Sequence, residues 1–417
     1  MSNPRKLVFK VVMILLMVVS ILLNTHHAQG AALSVPKSQG GIEVENATVA
    51  VDFGNTITFT AKIKSPIPIK QVSLLFRGVN EEVTRVETVP VAEDGTVSFT
   101  YDASQNFFPP FGSIVFWFQA TLADDQTYTS APITFPYNDN RFPWREMTRG
   151  NVTVHWYAGD DAFGAGALDA AGKGMLAMNE FLPISSTEPV NIYIYSNISD
   201  LQNTLMLGGE QWVGGHANPE LGIVLVAITP GASQSIEMET AIPHELTHVM
   251  MYRSLGQKYL SQPAWLLEGI ASMMELYPNP DYARALDIAS QNGSLIAFED
   301  LCASFPTDAG NAYLAYAQSQ SFVNYIRETY GTSGLGRLAS SYGDGFPCEL
   351  GATNALGTPL SQLDSRWRES VLGQNAAGVA ARNLSPFILL LILVLVVPMW
   401  GTIDMMLQRR KRAKQSE

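Results

Sequence analysis

The sequence predicts a multidomain chain: an N-terminal all-β, immunoglobulin-like sandwich, then an α+β domain, then a C-terminal transmembrane helix. Three observations predict it. Between 41 and 137, short runs alternate polar and apolar residues and are separated by turn residues. From 150 to 372, two alternating runs give way to longer segments with helical patterning. From 384 to 407, a segment dense in Leu, Ile and Val reaches the length of about 20 residues that spans a bilayer.

The bulk composition agrees. A chain of 417 residues accommodates two or three domains with cores of their own. Its 47% hydrophobic and 15% charged residues exclude a mostly disordered protein. A net charge of −12 argues against a nucleic-acid partner, which would demand a basic patch.

The two ends read as addresses. Arg5, Lys6 and Lys10 precede an apolar run over 11–23, and Ala28-Gln29-Gly30 offers small residues at a cleavage site. Residues 1–30 are therefore expected to be a signal peptide, with a retained signal anchor as the alternative. At the other end, 373–383 links to the apolar span 384–407, and Asp404 lies near its inner end, where depth is shallow. The tail 408–417 carries Arg409, Arg410, Lys411, Arg412 and Lys414, which predicts a cytoplasmic tail. The expected location is the cell membrane, single-pass, with the folded domains outside the cytoplasm. The two cysteines, Cys302 and Cys348, both fall in the exported part; they suggest one disulfide, or else two buried thiols.

Residues 31–40 read as a leader. In the sandwich, Thr56-Ile57-Thr58-Phe59-Thr60-Ala61 and Gln71-Val72-Ser73-Leu74-Leu75-Phe76 alternate, as do Thr96-Val97-Ser98-Phe99 and Ile114-Val115-Phe116-Trp117. Five to seven strands at this spacing predict a sandwich over 41–137. No ligand constellation stands out in it, which leaves a spacer or docking role. Asn138-Asp139-Asn140-Arg141-Phe142-Pro143-Trp144 is a polar, proline-bearing junction.

The second domain, 150–372, opens with Val152-Thr153-Val154-His155-Trp156-Tyr157, a strand on which His155 has no partner at ligand spacing. A helix over 161–182 and a strand at Val190-Asn191-Ile192-Tyr193-Ile194-Tyr195 follow. Gly214-Gly215-His216-Ala217-Asn218 is a glycine-rich edge that can hold an extended peptide through its main chain.

The chemistry concentrates in His244-Glu245-Leu246-Thr247-His248, on a helix expected over 237–255. Imidazoles at i and i+4 share one helix face and can reach one metal ion. Pro243 fits a first helical turn or else kinks the helix. A second helix, opened by Pro263 and expected over 264–276, brings Glu268 as a third ligand, and Gly269 would let the two helices approach closely. The metal ligands are thus His244, His248 and Glu268, with Glu245 as general base to a zinc-activated water. Glu275, seven residues past Glu268 on the same expected helix, is a candidate to orient a ligand, or a solvent-facing charge.

His244-Glu245-x-x-His248, with Glu268 in Pro263-Ala264-Trp265-Leu266-Leu267-Glu268-Gly269, resembles the gluzincin zinc metallopeptidases. The closest resemblance is to the peptidase MA-like branch related to the aminopeptidase N and thermolysin groups. It covers roughly 151–372 and implies a zincin fold, Zn2+ as cofactor and a peptide or protein substrate. It also implies an oxyanion-stabilising tyrosine on a later helix. Tyr316 holds the matching position in Tyr316-Ala317-Gln318-Ser319, with serine where the family usually has glycine, and Tyr313 is a second candidate. The motif that holds a free amino terminus in aminopeptidases is not apparent, which favours an endopeptidase. The expectation is a membrane-anchored, extracytoplasmic zinc peptidase. The rival is a cell-surface binding or scaffold protein that retains the zincin domain and binds partners through its sandwich.

Overall fold

The computed structural model describes residues 31–32, 41–181, 187–206, 214–374, 384–396 and 399–400. The expected signal peptide, the basic tail, most of the linker and part of the expected membrane span lie outside these residues. Within them the chain forms two compact units, the first running to Trp144 and taking in Asn203–Met206, the second holding the remainder from Arg145.

The first unit is β-rich, as the alternation predicts. One sheet runs β1 (Ala31–Ala32), β2 (Glu43–Asp52), β3 (Thr56–Lys64) and β6 (Thr96–Asp102) in that order. The other is built from β4 (Ile69–Gly78), β5 (Arg85–Val89), β7 (Ser113–Leu122), β8 (Thr127–Thr129) and β9 (Ile133–Pro136). Every second residue of β3 is buried, so Ile57, Phe59, Ala61 and Ile63 point inward. Phe59 meets Phe76 and Phe116 of the facing sheet, each with ring centroids 5.1 Å apart, and this joins the two layers. The expected leader is corrected at one point: Ala31 and Ala32 pair antiparallel with Val49 and Thr48.

The second unit is α+β. Its sheet has the order β10 (Arg145–Arg149), β11 (Val152–Trp156), β12 (Val190–Tyr195), β14 (Ile223–Ala227), β13 (Gly215–Asn218). The central three strands are parallel and the two edges antiparallel. β10 has no counterpart in the sequence reading, because an edge strand reading Arg-Glu-Met-Thr-Arg carries almost no apolar alternation. Helices α1 (Asp161–Phe181) and α3 (Gln234–Leu255) contribute to the apolar core shared with the sheet, and α2 (Ile198–Leu205) lies between them in sequence. Met238, Ile242, Leu246 and Val249 recur at helical spacing on α3 and enter that core.

The remaining helices, α4 (Ala264–Met273), α5 (Asp281–Asn292), α6 (Ala309–Gly343), α7 (Cys348–Leu356) and α8 (Leu360–Ser370), enclose a second core around Trp265, Phe298, Phe322 and Trp367. α6 is one long run interrupted at Gly331, where φ is 72°. Cys302 and Cys348 form a disulfide. The bridged segment also caps α4: the Cys302 and Leu301 carbonyls accept the Ala264 and Trp265 N–H groups at 2.9 and 3.1 Å. Residues 384–396 and 399–400 are helical, and among the described residues no helix is long and apolar enough to cross a membrane.

Candidate metal centre

Three side chains from two helices converge. His244 and His248 stand one turn apart on α3, and Glu268 projects from α4, with one ligand atom of each within 4.8 Å of the others. Both Nε2 atoms face the same Glu268 oxygen, Oε2, at 3.3 and 3.6 Å. The chain returns between the two helices through a 3-10 turn, Gly256–Ser261, short enough to bring α4 back to α3.

The outward ring nitrogens are held as well. His244 Nδ1 lies 3.0 Å from Glu275 Oε1, and His248 Nδ1 lies 3.0 Å from the Tyr259 hydroxyl. With Nδ1 engaged by these partners, Nε2 is the nitrogen each ring turns toward Glu268 and would offer to a metal ion. Two imidazoles and one carboxylate, their free atoms converging and a position left open, fit a zinc ion as donor set and as geometry. Tyr259 escapes the sequence reading, since a tyrosine in a short connecting turn carries no motif. Glu275 is placed where a ligand-orienting residue belongs, with one correction: α4 ends at Met273, so Glu275 sits just past the helix rather than on it.

Pro243 lies inside α3, nine residues after its start, rather than in its first turn. An interior proline has no N–H to give the carbonyl four residues back. That carbonyl, Glu239 O, accepts the Leu276 N–H instead, at 2.9 Å. Thr240 Oγ1 donates to Tyr277 O nearby at 3.2 Å. The segment that carries Glu275 is therefore bonded to α3 beside His244.

Gly269 is a further correction. A Cβ there would lie 2.6 Å from Ser319 O and 2.5 Å from Val323 Cγ2. The close approach it permits is between α4 and α6, not between α4 and α3. Ser319, three residues after Tyr316, is fully buried at that contact.

A cleft of about 270 Å³ opens beside these three candidate ligands, lined by Gly215, Thr240, His244, Glu245, Glu275 and Tyr316 among others. Glu245 sits beneath β13, so that a Cβ on Gly215 would fall 2.4 Å from its Oε1. Tyr316 faces His244 with ring centroids 6.0 Å apart and makes no hydrogen bond among the described residues. Tyr313 is engaged elsewhere: its hydroxyl donates to Asn279 Oδ1 at 3.1 Å, and its ring packs on Tyr282. His155 stacks on Tyr193 and bonds Asn191, as a structural histidine would.

Electrostatics follow from burial and crowding. Burial raises the Glu245 carboxyl above the usual range, which disposes it to hold a proton. Burial acts the same way on Glu268, but His248 and His244 outweigh it and hold that carboxyl well below the usual range. Burial would lower the His244 ring, yet bonds to Glu268 and Glu275 hold it well above. Burial, with Glu268 and Glu245 nearby, keeps the Tyr316 hydroxyl protonated and available as a donor.

The neighbouring sheet edge is open on one side among the described residues. Ala227 N donates to Gly214 O at 2.9 Å, which fixes the alternation of the β13–β14 ladder. The main-chain groups of Gly215 and Ala217 then point away from β14, toward the free edge.

Residues 170–373 match the family model described as Peptidase MA superfamily, a range that takes in the three candidate ligands, Glu245 and Tyr316. This supports a zincin-like peptidase domain, in a superfamily that is generally zinc-dependent. No curated protein matches the chain. Among solved structures, wild-type OgpA from Akkermansia muciniphila is 15% identical, aligned over 25% of this chain and 29% of its own, at a TM-score of 0.20. A family 56 carbohydrate-binding module described as a β-1,3-glucan binding domain is 17% identical, over 22% of this chain and 98% of its own, at 0.17. A myokine structure is 12% identical, over 25% and 99%, at 0.19. These likenesses are too slight to bear on fold or function.

Proposed function

We propose that the chain is a zinc-dependent peptidase, with His244, His248 and Glu268 holding the ion, Glu245 as general base and Tyr316 as oxyanion donor. The observation that carries this reading is the convergence of the three ligand atoms, with Glu245 and Tyr316 lining the adjoining cleft. A bound zinc would polarise the scissile carbonyl and acidify the attacking water.

The residues of the chain supply the rest. Glu245 takes a proton from the attacking water as its oxygen bonds to the carbonyl carbon. It then delivers that proton to the leaving nitrogen as the C–N bond breaks, and burial suits its carboxyl to this shuttle. The Tyr316 hydroxyl donates to the carbonyl oxygen as negative charge develops there. The outward main-chain groups of Gly215 and Ala217 would pair with an extended substrate, which favours a peptide entering along β13. An edge that pairs along a chain needs no free amino terminus, so an endopeptidase is the preferred form.

The apolar stretch 384–407, the basic tail and the N-terminal signal pattern support anchoring in the cell membrane with this domain outside the cytoplasm. The test of the function is hydrolysis of a broad peptide library by the zinc-loaded full chain. Cleavage that stops with a chelator and returns with zinc is expected; a loaded, folded chain that cleaves nothing would favour the scaffold alternative.

A further inference from the structure

Pro243 stands out because it breaks a rule of helix chemistry immediately before a metal-ligand candidate. An interior proline removes a helix hydrogen bond, and its ring presses on the carbonyl four residues back. In this chain the vacated bond is refilled from another segment. Glu239 O accepts Leu276 N–H at 2.9 Å, and one residue further along each strand of chain Thr240 Oγ1 reaches Tyr277 O at 3.2 Å. Leu276 directly follows Glu275, whose Oε1 lies 3.0 Å from His244 Nδ1. The proline is thus next to the ligand candidate it affects, and the carbonyl it leaves free is one hydrogen bond from Leu276, the neighbour of the carboxylate that orients that ligand candidate.

We propose that Pro243 is a positioning residue for the metal centre. By withholding a backbone N–H, it reserves the Glu239 carbonyl for Leu276 and so sets Glu275 against His244. With any other residue at 243, the α3 ladder would close on Glu239 O and compete with Leu276 for it. The Glu275 carboxylate sits beyond the end of α4, where no helix bond fixes its backbone, so this docking is what places it. The inference rests on the reading of His244 as a metal ligand.

Pro243→Ala is a suitable probe. Alanine keeps the Cβ that packs close to Gly174 of α1, and it favours the helix. Zinc affinity of the full chain is measured by competition with a chromogenic chelator for wild type, Pro243→Ala, Glu275→Gln and the double variant. Amide exchange at Leu276 and thermal melting are measured alongside. Zinc affinity should fall about tenfold in Pro243→Ala without loss of melting temperature, as for loss of a ligand's supporting contact. Leu276 exchange should quicken by about the same factor. In the Glu275→Gln background, the Pro243 change should alter affinity by less than about twofold, because both act through one contact.

The proposal is overturned if the affinity of Pro243→Ala matches wild type, if its loss persists undiminished beside Glu275→Gln, or if Leu276 stays equally protected. Should Pro243→Ala not fold, Thr240→Val removes the companion bond and must show the same non-additivity with Glu275→Gln; additive effects sink the idea. If wild type takes up no zinc, the metal reading fails on its own, and Leu276 exchange in Pro243→Ala still decides whether the proline frees that carbonyl.

Discussion

Glu275 Oε1 lies 3.0 Å from His244 Nδ1, and the pair is the charged counterpart of a neutral one, Tyr259 on His248 at the same distance. A carboxylate raises the basicity of the imidazole it holds more than a phenol does. Glu275→Gln is therefore expected to weaken metal affinity by about 10- to 100-fold, and Tyr259→Phe by less. Chelator competition on the two single variants checks the order; an equal or reversed effect would show that the partners act only as packing.

Gly215→Ala places a methyl group 2.4 Å from Glu245 Oε1 and 3.0 Å from its Cδ and Cγ. The obstacle is the end of a side chain, so the chain should fold while the carboxylate is pushed aside. Turnover is expected to fall by about tenfold or more, as for a small misplacement of a reacting group. Metal content per chain should not change, and measuring both separates displacement of the base from damage to the site.

Tyr316→Phe keeps the ring against His244 and Phe305 and deletes only the hydroxyl. Loss of one oxyanion donor lowers kcat by about 10²- to 10³-fold, with KM little altered. Steady-state kinetics on a single peptide decides it: a change confined to KM would assign Tyr316 to substrate binding instead.

Replacing Cys302 and Cys348 together by alanine opens a bridge between residues 46 apart in sequence. Loop-closure entropy for a span of that size puts the loss near 4 kcal/mol, on the order of the usual disulfide contribution. Because Leu301 and Cys302 cap α4, the variant should also bind metal more weakly at temperatures well below its melting point. Calorimetry and metal titration on the same preparation test both parts.

Much of this arrangement is written in short-range patterns. His244 and His248 are legible because helical spacing alone puts them on one face, Glu245 because it directly follows His244 in that motif, and Glu268 because a short return must fold α4 back on α3. The β-rich first unit is legible from strict alternation in β3, β4 and β7. What sequence hides is whatever depends on contacts between distant segments. Tyr259 reaches His248 only through the shape of a 3-10 turn, and Gly269 faces α6 rather than α3, a choice no local pattern encodes. Pro243 reads locally either as a first-turn residue or as a kink. Its interior position becomes intelligible only once Leu276, thirty-three residues on, is seen to take the bond it leaves open. Strand β10 is lost for the opposite reason: its charged sequence says nothing about the edge it pairs with.

The most direct test of the central claim is a paired measurement on Glu245→Gln: zinc per chain and rate of peptide hydrolysis. Glutamine keeps the shape of the side chain against Gly215 and removes only its capacity to carry a proton. The expected result is the same zinc content as wild type, with hydrolysis reduced by about 10²- to 10⁴-fold. Hydrolysis that survives at the wild-type rate in the zinc-loaded variant would contradict it.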